Sequence, residues 1–270
     1  MTIPAKIETT NDFNFESDQF QAASLPWCQI LSPGRNAASA NYGLAVKLNI
    51  AKRIGFVPDE SWRPVDHEFS TGEVEALLIT TRPRLVIVRR SSVLLEYRDS
   101  GFLLGRLYDY SDIFAADKSR FVTFVRYLIF LVGKDKQFLH QIPLSLKIKG
   151  AASASFGNAY RKKADNGEEV GFVPEFEKAY ADFCGRNVQR KSWRFHAHGI
   201  FCPHIELKEV GEESTALVAS TVDYDHPTGA NFTDYAISLK SRESALILET
   251  FKKHENFGKL PKSNTSDIPW

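Results

Sequence analysis

A β-rich α+β fold with inserted helices and a C-terminal helix is what this sequence predicts, on three observations. Short runs rich in Val, Ile and Leu recur from residue 75 onward with turn residues between them, the pattern of strands and hairpins. Two later segments repeat their apolar residues at helical spacing instead. A 43% apolar composition over 270 residues is enough to bury a substantial core.

Residues 1–22 set Asn11, Asp12, Asn14, Glu16, Ser17 and Asp18 among isolated phenylalanines and read as a flexible arm. One β-rich domain is expected over 23–258, its fold beginning near Leu25. Strands are predicted over 76–80, 85–90 and 93–97, then a turn at Arg98-Asp99-Ser100-Gly101 and a returning strand over 102–110. Strands over 124–132 and 138–149 flank the turn Gly133-Lys134-Asp135-Lys136, with Pro143 marking an edge or bulge. The small residues of 150–163 are helix-compatible and suit close packing on a sheet, although two glycines weaken the helix. Phe176, Ala179, Tyr180 and Phe183 predict a helix over 174–184. Strands return over 193–201, 216–222 and 235–239. The final helix is expected over 241–254, with Ala245, Leu246, Leu248 and Phe251 on one face and Ser241 as its N-cap. Residues 259–270 read as a flexible tail. Strand, small-residue helix, strand is the order found between the third and fourth strands of an oligonucleotide-binding (OB-fold) barrel, and the organisation resembles that fold.

The most apolar passage, 121–133, is interrupted by Arg126 and is far shorter than the roughly 20 residues that cross a bilayer, so it reads as core. Cys28, Cys184 and Cys202 are scattered, as free thiols in a reducing compartment are. The N-terminus carries no basic patch leading into an apolar run. A cytoplasmic protein without a membrane partner is the expectation.

The net charge of +1 conceals an uneven distribution. Residues 1–81 carry 6 basic and 10 acidic groups, residues 82–163 carry 16 and 6, and residues 164–270 carry 12 and 17. If the basic middle gathers on one surface it attracts a polyanion, while the acidic flanks oppose indiscriminate binding. Spread over all faces, the same charges only keep the protein in solution.

Phe102, Leu104, Arg106, Tyr108 and Tyr110 fall at every second position, which on a strand is one face. Bases stack on such a face, with Arg84, Arg89, Arg90 and Arg98 on neighbouring strands to meet phosphates. The plainer reading is that Phe102 and Leu104 face the core and the tyrosines its rim. Lys147, Lys149, Arg161, Lys162 and Lys163 form a second basic cluster around the small-residue segment, where a solvated helix end is the alternative.

The chain closes on Asp267, Ile268, Pro269 and Trp270 after a polar stretch. This ending resembles the C-terminal peptide of bacterial single-stranded DNA-binding proteins, which finishes in acidic residues followed by Ile-Pro-Phe. The resemblance implies a docking peptide for replication, recombination and repair proteins, its terminal aromatic filling an apolar pocket with a basic rim. Trp270 in place of Phe, and a lone Asp267 in place of several acids, depart from that pattern. Over most of its length the chain also resembles an uncharacterised cyanobacterial family, through Asn41-Tyr42-Gly43-Leu44, Thr81-Arg82-Pro83-Arg84, Arg126-Tyr127-Leu128-Ile129-Phe130 and Lys149-Gly150-Ala151. That family implies no activity.

His196, His198, Cys202 and His204 share the parity of one strand face and are possible zinc ligands, but four ligands on one short strand do not readily close a tetrahedron. Asp223, Asp225 and His226 read as a polar turn, and no nucleophile elbow, phosphate-binding loop or His-Glu-x-x-His motif is present. The expected function is binding of single-stranded DNA, with RNA as the alternative polymer, without catalysis and without a cofactor. DNA-maintenance proteins are the expected partners of the tail, and a homo-oligomer is left open. Two other classes stay open: an accessory RNA- or protein-binding subunit, and a metal-dependent enzyme centred on His196 and His198.

Overall fold

The computed structural model describes residues 25–33, 41–69, 71–211 and 216–259. The expected arm over 1–22, and all of the expected tail but Lys259, lie outside the described residues.

The chain opens with β1 (Trp27–Leu31) and β2 (Gly43–Lys47), followed by the short helix α1 (Leu48–Ile54), which Gly55 ends in a left-handed conformation at φ 64°. β3 (Arg63–Glu68), β4 (Val74–Thr80), β5 (Leu85–Arg90), β6 (Leu94–Tyr97) and β7 (Leu103–Arg106) come next. After α2 (Ser111–Ala116) the long strand β8 (Phe121–Leu131) and then β9 (Leu144–Lys149) run into α3 (Gly150–Tyr160). A small hairpin of β10 (Lys162–Lys163) and β11 (Glu169–Val170) leads to α4 (Phe172–Phe183) and α5 (Trp193–His196). β12 (Ile200–Phe201), the hairpin of β13 (Pro203–Val210) and β14 (Ala216–Tyr224), and α6 (Arg242–Lys253) complete the described elements.

Ten of these strands form one mixed sheet in the order β12-β5-β8-β9-β1-β2-β4-β3, with β6 and β7 attached beside β8. The pairings are antiparallel except for β1 with β9, which is parallel. β8 organises the sheet. Its C-terminal half pairs with β5 and its N-terminal half with β6 along the same edge, so the sheet forks at Ser91, Ser92 and Val93.

One face of the sheet is the main core. Val125, Tyr127, Ile129 and Leu131 of β8, with Leu144, Leu146 and Ile148 of β9, lie under α3, α4 and the β13/β14 hairpin. The small residues of α3 permit this, since they bring the helix close enough for Phe156 to meet Tyr127 at 5.0 Å between ring centroids. On the opposite face α6 covers Val86, Val88, Leu128 and Phe130 at one end, through Ile247. Leu31, Ala45, Leu77 and Ile79 form a separate cluster toward the other end. Ser241 caps α6 by accepting a hydrogen bond from the Ser244 amide at 3.1 Å, as the sequence predicts.

Several expectations need correction. The strand path is open among the described residues, with β12 and β3 at its ends, and no barrel closes. The helix taken as the link between two barrel strands is followed instead by the β10/β11 hairpin, which stands apart from the sheet. The strand expected over 102–110 stops at Arg106, because Leu107–Tyr110 turns as a 3-10 helix that folds Tyr110 back onto Gly105. A Cβ at Gly105 would lie 2.3 Å from the Tyr110 ring. The strand expected over 193–201 begins as α5, whose turn continues through amide bonds from His198 and Gly199 to the Phe195 and His196 carbonyls. This seats Gly199 against the rings of Phe172 and Phe176, where a Cβ would lie 3.0 and 3.1 Å away. Residues 235–239 contribute only an isolated bridge, Ala236 with Gly199. No helix among the described residues is long and apolar enough to cross a membrane.

Candidate nucleic-acid interface

Side chains alternate between the two faces of a strand, so the face opposite the main core carries Phe124, Arg126, Leu128 and Phe130 of β8. The register puts Lys147 of β9 beside Arg126, and Gln29 of β1 on its other side. Lys149 and Ser145 complete the β9 row, with Trp27 of β1 opposite Ser145. This stretch lies between the two smaller apolar clusters and forms the floor of a cleft of about 750 Å³, walled by the chain leaving α6 at Lys253, His254 and Phe257. Arg126, Lys147, Lys149 and Lys253 converge there with a half-exposed indole, Trp27.

Charge of one sign on adjacent strands needs a counterweight, and Glu96 of β6 supplies it. Its buried carboxylate lies 2.5 Å from Lys147 Nζ and 2.5 Å from Lys149 Nζ. Burial pushes the Glu96 pKa up, but the two ammonium groups more than offset that and hold it below the usual carboxylate range. Lys147 is lowered in turn by its own desolvation. Its ammonium also sits 4.0 Å from the Phe124 ring centroid. His254 is lowered by burial and by the neighbouring charges of Lys253 and Arg89. Lys47 stands 5.1 Å from the Trp27 ring centroid, fixing the indole at the cleft margin.

Of the residues predicted from the sequence, only Lys147 and Lys149 line this cleft. Arg89 and Arg90 do not share a face. The register shift at Val88 pairs Arg89 with Leu128 and Arg90 with Tyr127, which puts them on opposite faces. Arg89 donates to the Phe251 carbonyl and stacks on the Phe251 ring at 3.6 Å, tying α6 to the sheet. Arg84 donates to the Asp234 carbonyl at 3.3 Å, and Arg98 to the Ser119 and Phe121 carbonyls at 2.8 and 3.0 Å. Arg106 pairs with Asp109 at 2.7 Å, a bond within one surface turn. Tyr108 is 91% exposed but belongs to the 3-10 turn, away from the strand face expected to hold it, and Tyr110 packs on Gly105. Arg90, Arg161 and Lys163 gather at a second depression, with Lys162 exposed beside it.

The histidines also part company. His196 meets Glu177 at 2.7 Å and His198 meets Ser244 Oγ at 2.9 Å, on different helices. His204 pairs with Asp225 at 2.6 Å. Among the described residues no three His, Cys, Asp or Glu side chains are arranged to hold a metal ion.

Trp27, Arg126, Lys253 and His254 are the cleft residues that sequence reasoning missed. Arg126 left a signal, as the one charge inside the most apolar run. A charge tolerated there has to emerge on an uncovered part of a sheet face.

Fold and site together define a strand-rich α+β protein whose open mixed sheet leaves a cationic, aromatic-edged cleft on one face. The sequence profile of a domain of unknown function, DUF5895, matches residues 22–268, and the chain belongs to that family. The family is uncharacterised and spans most of the chain, as the sequence passages imply. No curated protein and no solved structure matches the chain.

Proposed function

We propose that this protein binds single-stranded DNA in the cleft floored by β8, β9 and β1, acting by affinity and not by turnover. The observation that carries the reading is the convergence of Arg126, Lys147, Lys149 and Lys253 with Trp27 in one opening. Four cations from two strands and a helix end match the spaced charges of a phosphate backbone, and an indole edge on a third strand offers a stacking surface that any base can use. The binding surface in this reading is an open sheet face and not a barrel groove. A duplex presents its bases paired and stacked, so Trp27 gains nothing from it.

The peptide Asp267, Ile268, Pro269 and Trp270 is the second part of the proposal, as a docking segment for DNA-maintenance proteins. It rests on the resemblance to the tails of bacterial single-stranded DNA-binding proteins. Deleting those four residues is expected to leave DNA affinity intact and to abolish a protein contact. Loss of neither would remove the tail from the account.

Fluorescence anisotropy of labelled single-stranded DNA, single-stranded RNA and duplex DNA, at several salt concentrations, tests the first part. Tight and salt-dependent binding of single strands supports it, and the comparison identifies the polymer. Equal affinity for duplex, or no binding at low salt, contradicts it.

A further inference from the structure

A second cationic depression, of about 520 Å³, lies on the other side of the sheet fork. Arg90, Arg161, Lys163 and Arg190 line it, with Glu169 the one carboxylate, and Trp193 stands at its edge 46% exposed. Glu169 is already neutralised. It binds Arg161 at 2.8 Å and Arg190 at 3.2 Å. Among the described residues neither Arg90 nor Lys163 is ion-paired. As in the first cleft, several cations stand with a half-exposed indole.

The two depressions adjoin. Ser91 lines the second and exchanges two hydrogen bonds with Arg126, whose side chain lines the first: its amide donates to the Arg126 carbonyl at 2.9 Å and its Oγ accepts from the Arg126 amide at 2.9 Å. Gly258 lines the first and is pressed onto Ser91 so closely that a Cβ there would lie 2.5 Å from the Ser91 Cβ. Arg90 and Arg126 are therefore one register step apart, on opposite faces of the sheet. Between them the chain passes through Ser92, which is exposed.

We infer that the two depressions are one continuous site, in which a single DNA strand lies in the first cleft, crosses the fork over Ser92 and ends in the second. This rests on the reading that the first cleft binds a single strand. Arg90, Lys163 and Arg190 meet phosphates in the second half, and Trp193 stacks on a base there as Trp27 does in the first.

The test compares labelled oligothymidylates of about 4 and about 16 nucleotides, the limits of what a compact single-strand module covers. They are titrated into wild-type protein and into a Lys163→Glu, Arg190→Glu variant, both positions being exposed. A separate Trp193→Ala variant checks the same half without a change of charge. The expected result is that the long strand binds wild type with the steeper salt dependence, and loses about tenfold or more of its affinity in the charge variant. The short strand keeps its affinity in both variants. If the short strand binds wild type and the long strand is insensitive to both variants, the continuous site is overturned and the first cleft stands alone. If neither strand binds wild type at low salt, both readings are overturned.

Discussion

Glu96 Oε2 lies 2.5 Å from Lys147 Nζ, at the base of the first cleft, with the glutamate side chain 2% exposed and the lysine 32% exposed. A buried carboxylate under a surface cation gives that cation a fixed position, and Lys149 shares the same anion at 2.5 Å. The arrangement reconciles two demands on one strand, a dense positive surface and a folded ground state. The first prediction follows from the sign of the shift. Because the Glu96 pKa is depressed in the folded protein, its contribution is present above the unfolded carboxylate value and is lost as pH falls through the folded one. Glu96→Gln is expected to cost about 1–3 kcal/mol at pH 7. Urea unfolding of both proteins should show that difference shrinking toward acid pH, and a difference constant with pH would contradict it.

Arg89 is expected to matter for stability and not for DNA. It bonds the Phe251 carbonyl near the end of α6 and stacks on the Phe251 ring, so Arg89→Met removes a charge-assisted hydrogen bond and a cation–π contact together. A loss of about 1.5–3 kcal/mol is expected in urea unfolding. The slope of log affinity against log salt for a single strand should be unchanged below the unfolding range. A flattened slope would return Arg89 to the interface.

Trp27→Ala is expected to weaken every single-stranded sequence alike, by about 1–3 kcal/mol, since stacking does not read base identity. Anisotropy with homopolymeric and mixed strands measures it, and circular dichroism checks that β1 remains in the sheet. Unchanged affinity would leave the cleft as an electrostatic site alone.

His226 links α4 to β14, meeting Glu175 at 2.8 Å and Asp223 at 3.1 Å. Burial works to lower its pKa, but the two carboxylates outweigh that and raise it. A raised folded value means that the stabilisation is fully present below the unfolded histidine range and is lost as pH rises through the folded value. The site is half exposed, so less than about 1 kcal/mol is expected from it. Wild type and His226→Gln should therefore differ slightly in unfolding midpoint at pH 6 and converge at pH 9. Divergence with rising pH would reverse the assignment.

Much of the secondary structure was legible because it rests on local patterns. The run Leu85–Arg90 is a strand with the predicted bounds, and the Ser241 cap of α6 is met, but the helix buries Ser244, Ile247 and Thr250 and leaves Ala245 and Leu248, two members of its expected apolar face, exposed. Misreadings occurred where a tertiary contact overrides parity. Tyr108 and Tyr110 alternate correctly for a strand, yet the chain turns at Leu107 so that Tyr110 can cover Gly105. His196 and His198 have strand parity, but α5 sends them to Glu177 and Ser244 on separate helices. The cleft was only half legible for a similar reason. Lys147 and Lys149 announce an exposed face by alternation within one strand. Their companions Trp27, Arg126 and Lys253 come from distant parts of the chain, and only the order β8-β9-β1 and the course of the chain after α6 bring them together.

The central claim is that the first cleft holds the phosphates of a single strand, and its salt dependence is the most direct measure. Each phosphate contact on a single strand contributes about −0.7 to the slope of log affinity against log salt. Anisotropy of a labelled oligothymidylate, titrated across salt concentrations into wild type and into an Arg126→Glu, Lys253→Glu variant with confirmed folding, gives that slope directly. The expected result is measurable binding to wild type, with a slope reduced by about 1.4 and a weaker affinity in the variant. An identical slope and affinity in the two proteins would contradict the claim and move the DNA off this face.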